Sequence, residues 1–229
     1  MAKGKGMRLR KPSFANRLII MAKSPRRGVV KRRLAGEIGE GAALRFYRSC
    51  LSHSLIRLAS DPRWLTTLAV APCQDRFSRV FPSRPRVQRL QQGRGDLGER
   101  MQLLFECLPP GPVIIVGSDI PAIAPDLIAQ AFRLLEGSDA VFGRARDGGY
   151  WLVGLKRNPR VLEPFASVRW SSPHALADTL ANLEGRRIAF AAELGDVDTR
   201  GDYIALRALA ERVVLPSKHR LKSTLTGIL

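Results

Sequence analysis

The sequence predicts an α/β protein: one domain on a doubly wound, mostly parallel sheet with one hairpin or antiparallel insertion. Three observations lead there. Short apolar runs alternate with segments of helical period along most of the chain. The run "VIIV", residues 113–116, has no polar alternation, as in a central parallel strand covered on both faces. Two strand-like segments between residues 139 and 156 follow one another with no helix between them, which interrupts the alternation once.

Taken in order, "RLIIMAK" (17–23) reads as the first strand and "SPRRGVVKRR" (24–33) as a basic loop leading to a helix. That helix covers 40–59, where Leu44, Tyr47, Leu51, Leu55 and Leu58 recur at three- and four-residue steps. "WLTTLAVA" (64–71) is a second buried strand and "RVQRLQQ" (86–92) a weaker, more polar one. Asp96 and Glu99 have the spacing of a capping box at the start of a helix over 95–109. After "VIIV", Pro125 and Gly137 bracket a helix over 125–137. Strands at 139–145 and 150–156, a helix over 171–185 opened by Ser172 and Pro173, a strand at 187–193 and a last helix over 200–213 complete the series.

The net charge of +18 is unevenly placed. Residues 1–33 hold twelve Lys and Arg and no acid, and residues 212–229 hold four more and no acid. The remainder, with 22 basic and 20 acidic residues, is nearly neutral. The expected organisation is therefore a disordered basic arm (1–16), a domain (17–212) and a basic tail (213–229). Nucleic acid is an unlikely partner on this distribution, and a non-catalytic binder using its basic ends is the alternative of another class. Cys50, Cys73 and Cys107 form no C-x-x-C pair and read as reduced thiols. With no apolar stretch long enough to span a bilayer and no signal-peptide pattern, the expected location is the cytoplasm; the oligomeric state is left open.

Four places could carry chemistry. In "MAKSPRRGVVKRRL" a turn with Pro25 and Gly28 is surrounded by cations, which suits phosphate oxygens or is simply a solvated basic loop. Asp119 sits just past the carboxyl end of "VIIV", the edge where open α/β sheets bind ligands; it either holds a hard cation or caps the turn before Pro121. In "GDVDTRGDY", Thr199 suits a helix cap, and Asp198 ranks above Asp196 as a second cation ligand. "ARDGGYWLVG" reads as a hairpin turn at Asp147 and Gly148, or as a close backbone approach to a ligand. Tyr150 and Trp151 point to opposite faces of their strand, so one should pack in the core and the other line a pocket. "GRGDLG" (93–98) also satisfies the dinucleotide pattern, but the strand before it is poorly apolar and Asp96 would sit beside the pyrophosphate.

In order, "MAKSPRRGVVKRRLAGEIG", "QGRGDLGERM", "VGSDIPAIAPDLIAQAF", "GRARDGGYWLVGL", "WSSPHALADTL" and "DVDTRGDY" resemble one family. It is the GT-A type glycosyltransferase family of the radical-SAM/selenodomain-associated (arsenosugar biosynthesis) transferases, related to molybdenum-cofactor and phospholactate guanylyltransferases. The resemblance covers residues 17 to about 210. It implies a nucleotide-diphospho-sugar transferase fold and a metal-dependent glycosyltransferase, with nucleotidyl transfer from an NTP to a small phosphorylated substrate as the alternative. The implied partners are a nucleoside diphosphate sugar or NTP, a small-molecule acceptor, and Mg²⁺ or Mn²⁺. The implied nucleotide loop falls on Ala22, Lys23, Pro25, Gly28, Lys31 and Arg33, and the metal on Asp119 with Asp198. Asp147, Gly148, Gly149, Tyr150 and Trp170 fall on the acceptor side, with Asp147 joining Asp119 as a catalytic candidate. The sequence departs from the family pattern at Arg32, Ser118 and Arg144.

Overall fold

A computed structural model describes residues 15–157 and 160–214. The arm and tail expected at the two ends lie almost wholly outside the described residues. Seven strands form one sheet: β1 (Arg17–Lys23), β2 (Leu65–Ala71), β3 (Gln88–Gln91), β4 (Gly111–Gly117), β5 (Ala140–Arg144), β6 (Tyr150–Arg157) and β7 (Ile188–Ala191), in the spatial order β3-β2-β1-β4-β6-β5-β7. All pairs are parallel except those of β6, which runs antiparallel to both β4 and β5. The adjacent strands expected near residues 139–156 are therefore β5 and β6. Because β6 is reversed, its first residues lie at the edge where β1, β4, β5 and β7 end.

Among the described residues six α-helices cover the sheet: α1 (Arg32–Ile38), α2 (Glu40–Ala59), α3 (Leu97–Cys107), α4 (Pro125–Gly137), α5 (Ala175–Ala181) and α6 (Arg200–Val214). Alternate β1 side chains go to opposite faces, as a strand requires. Leu18 and Ile20 pack with Leu51, Leu55 and Phe132 of α2 and α4. Ile19 packs with Leu104 and Phe105 of α3 and with Phe165. A third cluster joins Leu34, Phe46, Val197 and Leu206, and thereby α1, α2 and α6. Each of the fully buried aliphatic side chains contributes about 1.5–3 kcal/mol.

The structure revises the expected elements at two points and agrees with the sequence on a third. The basic loop is followed by a short helix, α1, which Gly39 at φ 85° breaks from α2. The helix expected from residue 171 begins at Ala175, because the Ser172 hydroxyl bonds locally, donating to Arg169 O (2.6 Å) and accepting from His174 N (3.2 Å). The dinucleotide pattern is unusable for its usual purpose. The Asp96/Glu99 capping box holds the start of α3, and the Glu99 carboxylate lies where a side chain on Gly95 would project. β3, the strand before it, is a short edge strand.

Among the described residues no helix is long and apolar enough to cross a membrane. The three cysteines are free. A Cβ at Gly143, in β5, would stand 2.5 Å from the Trp151 indole and 3.0 Å from Leu152 Cβ. Gly143→Ala is therefore expected to cost about 1–3 kcal/mol by overpacking, measured by urea unfolding, and to shift the tryptophan fluorescence.

Candidate active site

The carboxyl ends of the parallel strands and the start of β6 open into one cleft of about 870 Å³. β1 delivers the loop ending at Lys31, β4 delivers Ser118 and Asp119, the β5–β6 turn delivers Asp147, and the segment after β7 delivers Asp196 and Asp198. This is where open α/β sheets bind ligands, because loops from successive strands diverge there.

At its centre one ammonium meets three carboxylates. Lys31 Nζ lies 2.7 Å from Asp119, 2.8 Å from Asp198 and 3.5 Å from Asp196. The Lys31 side chain is 3% exposed, whereas its partners keep 31%, 41% and 39%. Burial alone would lower the Lys31 pKa; attraction from Asp119, then Asp198 and Asp196, overcomes it and raises the value, so the amine stays charged. Burial raises the Asp196 carboxyl, Lys31 opposes this, and repulsion from Asp198, Asp119 and Asp147 adds to it, to about 6. Lys31 reaches this position from a left-handed backbone, φ 47° and ψ 48°, which a non-glycine residue adopts at a cost.

The chemistry of the acids suits a hard divalent cation. Among the described residues no group of three or more His, Cys, Asp and Glu is arranged to enclose a metal ion. Mg²⁺, however, is typically held by one or two carboxylates with substrate phosphates completing its shell. Asp119 and Asp198, brought from distant parts of the chain to one ammonium, provide such a pair. Thr199 caps α6 as expected: Asp202 accepts from Thr199 N (2.9 Å) and returns its own N–H to Thr199 Oγ1 (3.2 Å), which leaves Asp196 and Asp198 to the cleft.

The loop after β1 and its surroundings are shaped by contacts that the sequence did not disclose. Tyr47 of α2 accepts a hydrogen bond from Lys23 N (2.9 Å) and lies 3.0 Å from both Lys23 O and Ser118 Oγ, tying the ends of β1 and β4 together. Gln92 donates to Ala22 O (3.1 Å) and Ala69 O (2.9 Å) and accepts from Arg100 (3.3 Å), which joins β1, β2 and α3. Buried at 3%, Gln92 belongs to the polar end of "RVQRLQQ", and a polar residue at a strand's carboxyl end was the available signal. Ala22, Lys23, Lys31, Arg32 and Arg33 line the cleft. Pro25 and Gly28 do not: Pro25 O accepts from Arg48 (3.1 Å), and Gly28 supplies a turn at φ 70°. Arg144 lies over the Phe190 ring at 4.0 Å, outside the cleft.

On the opposite rim, Asp147, Tyr150 and Trp170 line the cleft, whereas Gly148 and Gly149 do not. Asp147 Oδ1 accepts from Gly149 N at 2.9 Å, closing the turn. Gly148, at φ 84°, leaves no room for a Cβ against the Pro173 backbone, and its carbonyl accepts from Leu176 N (3.1 Å). Its close backbone approach is thus to the segment before α5. Tyr150 and Trp151 both reach the cleft; Trp151 is also 5% exposed core and donates to Ala192 O (2.9 Å). Trp170 packs between Tyr150 and Phe165, with Gly98 of α3 as its floor, and its buried indole N–H has no partner among the described residues. Arg169 beside it forms a two-pronged pair with Asp178, at 2.9 and 2.7 Å.

Two outcomes follow from these contacts. Tyr47→Phe leaves Lys23 N and Ser118 short of a partner and should destabilise by about 1–3 kcal/mol in urea unfolding. Hydrogen bonds from Arg169 hold the Asp178 carboxyl well below its usual range. A depressed carboxyl contributes its full stability above its unfolded pKa, about 4, and loses it as the pH falls through the folded value. The near-UV signal of Trp170 in the wild type should accordingly weaken in acid below about pH 4, and Asp178→Asn should remove that part of the pH dependence.

A family model described as an uncharacterized protein conserved in bacteria (DUF2064) matches residues 54–172. A search of curated proteins gave no match. Among solved structures, a protein from Desulfovibrio desulfuricans G20, provisionally described as a nucleotide-diphospho-sugar transferase, is 26% identical, with a TM-score of 0.76 over 93% of each chain. The 4-diphosphocytidyl-2C-methyl-D-erythritol synthase of Anaerococcus prevotii DSM 20548 shares the fold at 12% identity, with a TM-score of 0.59 over 86% of this chain and 96% of its own. A cytidylyltransferase from Leptospira borgpetersenii serovar Hardjo-bovis does so at 12% identity and TM-score 0.59, over 93% of this chain and 92% of its own. The sheet with its reversed sixth strand is the nucleotide-diphospho-sugar transferase fold, and the chain belongs to the bacterial DUF2064 family.

Proposed function

We propose that the protein is a metal-dependent glycosyltransferase that takes a sugar from a nucleoside diphosphate sugar and passes it to a small acceptor. The observation that carries this reading is the meeting of Asp119, Asp196 and Asp198 around one cation, beside a loop rich in Lys and Arg. The motif resemblance supports the finer assignment to the radical-SAM-associated transferases.

Asp119 and Asp198 would hold Mg²⁺ or Mn²⁺. When bound, the ion would bridge the pyrophosphate and neutralise the charge on the departing diphosphate. Lys23 and Arg33, which line the same cleft, add positive charge around the phosphates, and the rigid ends of β1 and β4 keep them in place. Across the cleft, Tyr150 and Trp170 offer ring surfaces to the acceptor. Asp147 is the candidate base for the acceptor hydroxyl: one oxygen is spent on Gly149 N, and the carboxylate is exposed at the rim.

Nucleotidyl transfer is the second reading. Arg32, Arg33, Arg100 and Lys23 all line the cleft, and so many cations would suit a triphosphate. The two reactions differ in their products. Incubation with NTPs and sugar nucleotides, followed by ³¹P NMR, should show free nucleoside diphosphate; pyrophosphate would establish the second reading instead.

Asp119→Asn should keep the fold and weaken Mn²⁺-dependent nucleotide binding by about 10–100-fold or more in calorimetry, since even residues behind a metal ligand are worth that much. Unchanged affinity would return Asp119 to the role of a turn residue.

A further inference from the structure

We infer that Lys31 is a resident counter-cation of the carboxylate cluster, and that Lys31 and a divalent metal are mutually exclusive occupants of one place. This rests on the metal reading above and adds a specific role for Lys31. The distances make the conflict direct. Contacts of 2.7 and 2.8 Å are charge-assisted hydrogen bonds that use the Asp119 and Asp198 oxygens themselves. Those oxygens would also be the metal ligands. A divalent ion drawing on the same carboxylates would stand against the buried ammonium, and two cations in contact repel.

Without the lysine, the three carboxylates that converge on it would face one another uncompensated. Lys31 therefore stabilises the cluster in the absence of metal. Lys31 lines the cleft on a flexible four-carbon stem, and Lys23 and Arg33 line it as well. Free metal must evict the lysine with nothing to receive it. A metal bound to phosphates brings an anion that can take the displaced ammonium. Lys31 thus couples metal binding to nucleotide binding and weakens the cluster's hold on metal alone.

The test uses Mn²⁺ as the only ligand, on the full chain, with affinity read by electron paramagnetic resonance. Lys31→Met keeps the side-chain length and removes the charge. It should bind Mn²⁺ about tenfold or more tightly than wild type, the least expected from removing a unit charge a few ångströms away. Adding Asp119→Asn to Lys31→Met should abolish the gain. Equal or weaker Mn²⁺ binding by Lys31→Met, with Asp119→Asn weaker than wild type, would overturn the exchange and leave the metal reading standing. No Mn²⁺ binding by wild type or Lys31→Met would overturn both.

Should Lys31→Met fail to fold, the wild type provides a second measurement. Acetylation of Lys31 by acetic anhydride, quantified by peptide mass spectrometry against Lys23, should rise severalfold when Mn²⁺ is present at saturating concentration. Protection of Lys31 that is unchanged at Mn²⁺ saturation would equally overturn the exchange.

Discussion

The ion cluster around Lys31 sets the character of the cleft. Three acids from two loops, one after the central strand β4 and one after the edge strand β7, would drive their loops apart if left alone. One buried ammonium turns that repulsion into a tie between the first loop, the turn after β4 and the segment before α6. The surrounding contacts serve the same arrangement. Tyr47 and Ser118 fix the backbone at the bases of two of the loops, and the Thr199/Asp202 cap takes the only acid of its segment that points away from the cleft.

Much of the fold was legible because its signals are local. An unalternating apolar run at β4, Asp96 and Glu99 three residues apart, and Pro125 and Gly137 at the two ends of α4 each fix an element without reference to the rest of the chain. The failures came where a partner distant in sequence decides. α1 exists because Leu34 is buried against α2 and α6, and α5 starts late because its first residues are held by Arg169 and Gly148. The site divides in the same way. Asp119 and Asp198 could be found from their places at strand ends and helix starts. Lys31 reads as one cation among many in the basic loop, and only the folded arrangement gives it three carboxylate neighbours.

The glycines of the recurring motifs make the same point from the other direction. In sequence, "GRGDLG" carries the dinucleotide pattern, and "DGGY" allows a backbone brought close to a ligand. In the structure, Gly98 is the floor under Trp170, and Gly148 lies against the Pro173 backbone. Both bring two protein segments together, so their influence on a ligand passes through the ring and the turn that they position.

The reversed direction of β6 has an evolutionary consequence. Because β6 runs against its neighbours, the residues between β5 and β6 meet the cleft through a tight turn rather than through a crossover helix. That half of the cleft can lengthen, shorten or change its chemistry without disturbing the helices that brace β1 and β4. Divergence among relatives could thus concentrate on one wall while the opposite wall stays fixed, giving a single scaffold a route to many second substrates.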